Sequence, residues 1–178
     1  MVVYHNTPES QIYADSELAP YVTCAETDNT GAYMVIEVRH EGRLLAIILK
    51  AAFCEPGIHF FTPDEFSQQL AYMRHPAGKV IAPHVHNPVE RTVHYTLEVL
   101  VIKRGKLRVD FYDEEQVYLH SRVLAAGDVI LLATGGHGFE VLEEIEMLEI
   151  KQGPYAGEGD KTRFIPQCTE KIFPEEAR

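Results

Sequence analysis

The chain has 178 residues, 46% of them apolar, and a formal net charge of −11. That composition supports one domain with a sizeable core. The negative charge excludes nucleic acid and anionic membrane surfaces as partners, because both select basic patches. No apolar run of about 18 residues occurs, so no membrane span is expected. The opening MVVYHNTPES has neither a charged n-region nor an apolar h-region, so no secretory leader is expected. Cys24, Cys54 and Cys168 lie far apart with no C-x-x-C pair, which predicts reduced thiols and a cytoplasmic protein.

Residues 1–30 are polar and irregular, with Pro8 and Pro20 as breakers and a weak helical pattern over Ser10 to Leu18. Ala32 to His40 alternates and is rich in β-formers. Glu41-Gly42 is a turn signal, and Arg43 to Ala51 is a second apolar run, which together predict a hairpin. Thr62-Pro63-Asp64-Glu65 has the form of a capping box and predicts a turn of helix. Gln69 to His75 reads as strand, and Pro76-Ala77-Gly78 as loop.

From Val80 onward the pattern is short strands with glycine turns. Strands are predicted over Val80 to His86, Thr96 to Lys103, Lys106 to Tyr112, Val117 to Leu124, Val129 to Ala133 and Glu146 to Lys151. In Lys106 to Tyr112 one face carries Leu107, Val109 and Phe111, the other Arg108, Asp110 and Tyr112. Such spacing implies an antiparallel sandwich or barrel, whose interior holds side chains or one small ligand. Glu140, Glu143, Glu144 and Glu146 read as a solvated charge run.

The chemistry concentrates in GKVIAPHVHNPVERTVHYTLEVLVIKRG and GDVILLATGGHGFE. His84 and His86 stand two apart in an extended context, so both imidazoles project to one face. Glu98 follows on the next strand, and His137 comes after the strand that begins at Val129. Three imidazoles and a carboxylate brought from three strands suit a divalent transition metal.

These stretches resemble the cupin superfamily. Gly78, five residues and His84-Val85-His86, then Glu98, six residues and Gly105, match its first motif, with Asn87 to Thr96 read as an insertion. Gly127, five residues and Ala133-Thr134-Gly135 match the second motif with Ala in place of Pro, and His137 arrives one residue early.

The resemblance covers roughly residues 70–151 and implies an all-β fold, an antiparallel double-stranded β-helix or jelly-roll barrel. Residues 1–69 are then an N-terminal hairpin extension, and residues 152–178 a C-terminal tail packed on the barrel. The implied metal ligands are His84, His86, Glu98 and His137, holding Zn, Fe, Mn or Ni. Arg91, His94 and Tyr72 are candidate contacts to a small-molecule substrate. HNPVERT, RVDFYDEE, GGHGFE and KQGPYAG are similar to cupins of bacterial surface-polysaccharide and nucleotide-sugar pathways. That similarity implies isomerase or epimerase chemistry on a sugar. The alternatives are a non-catalytic sugar-binding cupin and a metal-dependent dioxygenase. A homodimer is expected, because the apolar run from Met34 to Ala51 is rich enough to pack against a second subunit.

Overall fold

A computed structural model describes residues 22–27 and 33–166. Among these the protein is all-β, apart from one short 3-10 turn at Gly157–Asp160. The strands are β1 (Val22–Thr27), β2 (Tyr33–His40), β3 (Arg43–Leu49), β4 (Gly57–Phe60), β5 (Ala71–Arg74), β6 (Glu98–Tyr112), β7 (Tyr118–Ala125), β8 (Val129–Leu132) and β9 (Gly136–Lys151). β4 and β5 form a separate two-stranded sheet, while the other seven make one antiparallel sheet in the order β1-β2-β3-β8-β6-β7, with β9 paired to β6. The sheet is curled into a half-barrel.

β6 organises this sheet. Its first part pairs with β8, its second part with β7, and nearly its whole length with β9. Arg104-Gly105 reads from sequence as a turn between two strands, but the chain instead continues as one strand with a sharp bend. Three register shifts fall between Ile102 and Leu107, and bulges of this kind bend a strand and raise its twist. Gly105 has φ of 87°, a conformation glycine adopts without steric cost.

The bend creates the core. Leu100 and Ile102 from one half of β6 pack in the same cluster as Leu107, Val109 and Phe111 from the other half. Val38, Leu45, Ala46 and Ile48 from the β2–β3 hairpin, Leu124 from β7, and Ile130 and Leu132 from β8 fill the rest. The predicted alternation of Leu107, Val109 and Phe111 therefore points into the concave face. Behind the sheet, Phe53 packs edge-to-face on Phe61 and Tyr72, and joins Val35, Leu44, Ile47 and Leu49 in a second cluster. Leu97, Val99, Leu131 and Ala133 form a third.

The β2–β3 hairpin forms as predicted, with the turn at Glu41-Gly42. β3 is hydrogen-bonded to β8, and Leu44 to Leu49 are all buried within this one chain. The apolar richness that suggested a second subunit is thus absorbed by the protein's own two faces. β1 occupies a stretch expected to be irregular, while the weak helical pattern over Ser10 to Leu18 lies outside the described residues. The predicted turn of helix at Thr62 is absent. Thr62 is instead held by Gln69, which accepts from its hydroxyl at 2.8 Å, and by the Leu70 N–H.

The largest departure is at Val80 to His86, predicted as strand. Residues 79–94 have no regular secondary structure and are exposed. A β-rich sequence forms a strand only when a neighbour supplies its hydrogen bonds, and no described strand lies alongside it. β9 is likewise longer than expected: it starts at Gly136 and carries His137 inside the strand. Its glutamates are not merely solvated. Glu140, Glu143, Glu144 and Glu146 pair with Arg108, Lys106, Arg104 and Lys103 of β6. No described helix is long and apolar enough to cross a membrane.

Candidate functional site

Glu98 opens β6 and His137 stands near the start of β9. In the β6–β9 ladder Glu98 lies opposite Lys151, and His137 opposite Phe111. Phe111 is thirteen residues beyond Glu98, a separation of about 40 Å along a straight strand. Yet Glu98 Oε2 lies 3.3 Å from His137 Nε2. Only the folded-over ribbon allows this. Cross-strand partners share a face, and the partners of these two residues, Leu132 and Phe111, belong to the concave core. Glu98 and His137 therefore close the concave face from its two ends.

Both side chains are partly buried. The His137 ring beside it holds the Glu98 carboxyl below the usual carboxylate range, against the opposing effect of burial. Lys151 and Lys161 add smaller pulls in the same direction. Lys151 Nζ is itself held by Asp160 at 3.0 Å. This contact brings the C-terminal segment over the mouth of the site, where Phe164 packs edge-to-face on Tyr112 and touches the space above Gly136. Of the tail expected over residues 152–178, the described part, to residue 166, makes these contacts with β6 and β9. Neither Asp160 nor Phe164 carries a sequence signal for this role, because their partners come from distant strands.

The other predicted ligands lie elsewhere. His84 and His86 are neighbours, with ring centroids 5.3 Å apart, on the exposed segment between β5 and β6. His84 Nδ1 lies 3.0 Å from the carbonyl of Ala82. The predicted set thus forms two pairs, Glu98 with His137 and His84 with His86. Chemically a carboxylate and three imidazoles suit a divalent transition metal. Geometrically, no three His, Cys, Asp or Glu side chains among the described residues are grouped to hold one ion.

The candidate substrate contacts separate as well. Arg91 is exposed on the same segment. His94 lines a shallow cleft with Thr92, Tyr95, Phe66, Leu97 and Thr134. Leu97 and Phe66 belong to the apolar cluster behind the sheet, so this cleft lies on the opposite face from Glu98. Tyr72 is half-buried in packing on Phe53, where its ring serves the core. A second cleft, beside the β2–β3 turn, is lined by His40, Arg43, Asp113 and Glu114 among others. Arg43 pairs with Glu114 across it.

No protein-family profile, curated protein or solved structure matches the chain.

Proposed function

We propose that this chain is a cupin whose functional centre is the Glu98–His137 pair, completed by His84 and His86 as a divalent-metal site acting on a small sugar or nucleotide-sugar. The observation that carries the reading is the 3.3 Å contact between two residues at opposite ends of one folded ribbon. A carboxylate and an imidazole partly withdrawn from water on a concave face suit ligand binding better than stability, since a pair of this kind adds little to folding.

Completion of the site needs His84 and His86 to approach. The free edge of β9 offers the route, because β9 pairs only with β6 among the described strands. Lys79 to His86 has a strand-forming sequence and no strand partner. Laid along the Gly136 end of β9, it would become the missing strand of a double-stranded β-helix and carry two imidazoles beside His137. A divalent ion held there would polarise a carbonyl or hydroxyl of the substrate, or activate a bound water. Glu98 orients the His137 ring, and Lys161 places a positive charge near the same mouth, where a substrate phosphate would bind.

A second reading follows from the pair alone. A carboxylate beside an imidazole can orient that imidazole and move a proton without a metal, and the Glu98–His137 contact alone supplies the two groups this reading needs. The two are separated by binding nucleotide-sugars to chelator-treated and metal-loaded protein, read by NMR line broadening. Binding that requires metal and is lost in His137→Ala supports the first reading. Metal-independent binding lost in the same variant supports the second, and binding unaffected by His137→Ala sinks both.

A further inference from the structure

His137 lies between two glycines, Gly136 and Gly138, on a strand with one described neighbour. Glycine gives the backbone conformational freedom and no side chain to pack. Local sequence therefore leaves His137 loosely held, yet it must face Glu98. What fixes it lies on the other side of the sheet. There Asp110 is the cross-strand partner of both Ser121 on β7 and Gly138 on β9, and Arg108 is the partner of Glu140.

The side chains of these residues join. Ser121 Oγ donates to Asp110 Oδ1 at 2.5 Å, and the Tyr118 and Ser121 hydroxyls are 2.7 Å apart. Arg108 grips the Asp110 carboxylate through Nε at 2.8 Å and Nη2 at 3.2 Å, and Nη2 also reaches Glu140. Arg108, Asp110 and Ser121 are all at most 4% exposed. Buried charges are costly to desolvate, and apolar residues of the same volume often stabilise a fold at least as well. A fork–fork pair does supply geometric specificity.

We infer that Ser121, Asp110, Arg108 and Glu140 form a positioning strap for His137. The strap crosses three strands in sequence, from β7 through β6 to β9, and ends three residues from His137. It pins the glycine-flanked start of β9 against β6, which presents the imidazole to Glu98 in one orientation. Arg108 and its partners touch no substrate in this arrangement; they act through His137. The inference extends the functional reading above in giving His137 a role worth positioning, but the strap itself is a claim about geometry.

The test is the ring signature of His137 in long-range proton–nitrogen spectra of metal-free protein at fixed neutral pH, assigned by its loss in His137→Gln. The wild type is expected to show one tautomer, protonated on the Nε2 that faces Glu98. Asp110→Asn and Glu140→Gln are expected to shift this signal toward an average of two tautomers. Leu124→Ala, which opens a cavity in the core without touching the strap, is expected to lower stability and leave the signal in place. An unchanged signal in both strap variants overturns the inference, as does equal loss in the Leu124→Ala control. If Asp110→Asn does not fold, Glu140→Gln decides, because Glu140 sits at the solvent-exposed end. The readout needs no metal, so a failure of metal binding would sink the metal reading and leave this one standing.

Discussion

Glu98 Oε2 faces His137 Nε2 at 3.3 Å, although the two residues belong to opposite ends of the β6–β9 ribbon. The contact depends on the bend at Gly105, so that glycine is the first place to test the fold. A Cβ there would fall on the carbonyl of Glu144, with φ already in the left-handed region. Gly105→Ala is expected to cost several kcal/mol, on the order of 3 or more, by the combined clash and backbone strain. Urea unfolding monitored by circular dichroism measures it; a loss under about 0.5 kcal/mol would mean the bend is held some other way.

Asp128 provides a second test of the same architecture. Its buried carboxylate accepts from the Ala51 and Ala125 N–H groups at 2.9 Å each and pairs with Lys50 Nζ at 2.5 Å. It thus ties the end of β3 to the turn between β7 and β8. Asp128→Ala strands two backbone donors and a cation, with an expected loss of about 3 kcal/mol. Asp128→Asn is expected to cost less, because it keeps an acceptor. Equal losses in the two variants would contradict the role given to the hydrogen bonds.

His120 predicts a pH dependence. Burial, with Arg122 and His40 nearby, lowers its pKa from 6.5 to about 4. The unfolded chain therefore binds this proton more readily than the folded one, so stability falls as pH drops through 6.5 and levels off below 4. The full effect is on the order of 3 kcal/mol. His120→Leu is expected to flatten the unfolding midpoint between pH 6.5 and 4 relative to wild type. A parallel pH profile in the two proteins would show that His120 does not titrate there.

We propose that the chain pairs with a second copy through the β4–β5 hairpin. Ile58, Phe60 and Met73 are more than half exposed on the β4–β5 hairpin, with Ile58 and Met73 directly paired. Light scattering at micromolar concentration is expected to give twice the mass of one chain, and Phe60→Asp to return it to one. A single-chain mass for the wild type would contradict this.

Much of this was legible because strands carry a period of two. Leu107, Val109 and Phe111 alternate with charged partners, and the structure puts them in the core. The hairpin around Glu41-Gly42 could be read for the same reason. The fold-back of β6 was not, because a glycine in a bulge and a glycine in a turn look alike in sequence. Nor was the buried state of Arg108 and Asp110, since polarity alone predicts solvent and only the strand register reveals that they meet each other. For the site, Glu98 and His137 were found through motif spacing, and the chain does bring them together. His84 and His86 are neighbours, with ring centroids 5.3 Å apart, but the strand expected to carry them is not formed, because it depends on a pairing that no local pattern encodes. Tyr72 was selected by parity, which cannot tell the concave face from the packed rear one.

We propose that one metal ion unites Glu98 and His137 with His84 and His86. Titration calorimetry of chelator-treated protein with cobalt(II) or zinc(II) tests it most directly, on wild type and on His84→Ala, His86→Ala and His137→Ala. One ion per chain is expected in the wild type and an affinity at least about 100-fold weaker in each variant, since each removes a ligand. Binding of equal strength in His137→Ala and wild type, or no stoichiometric binding in the wild type, would contradict it.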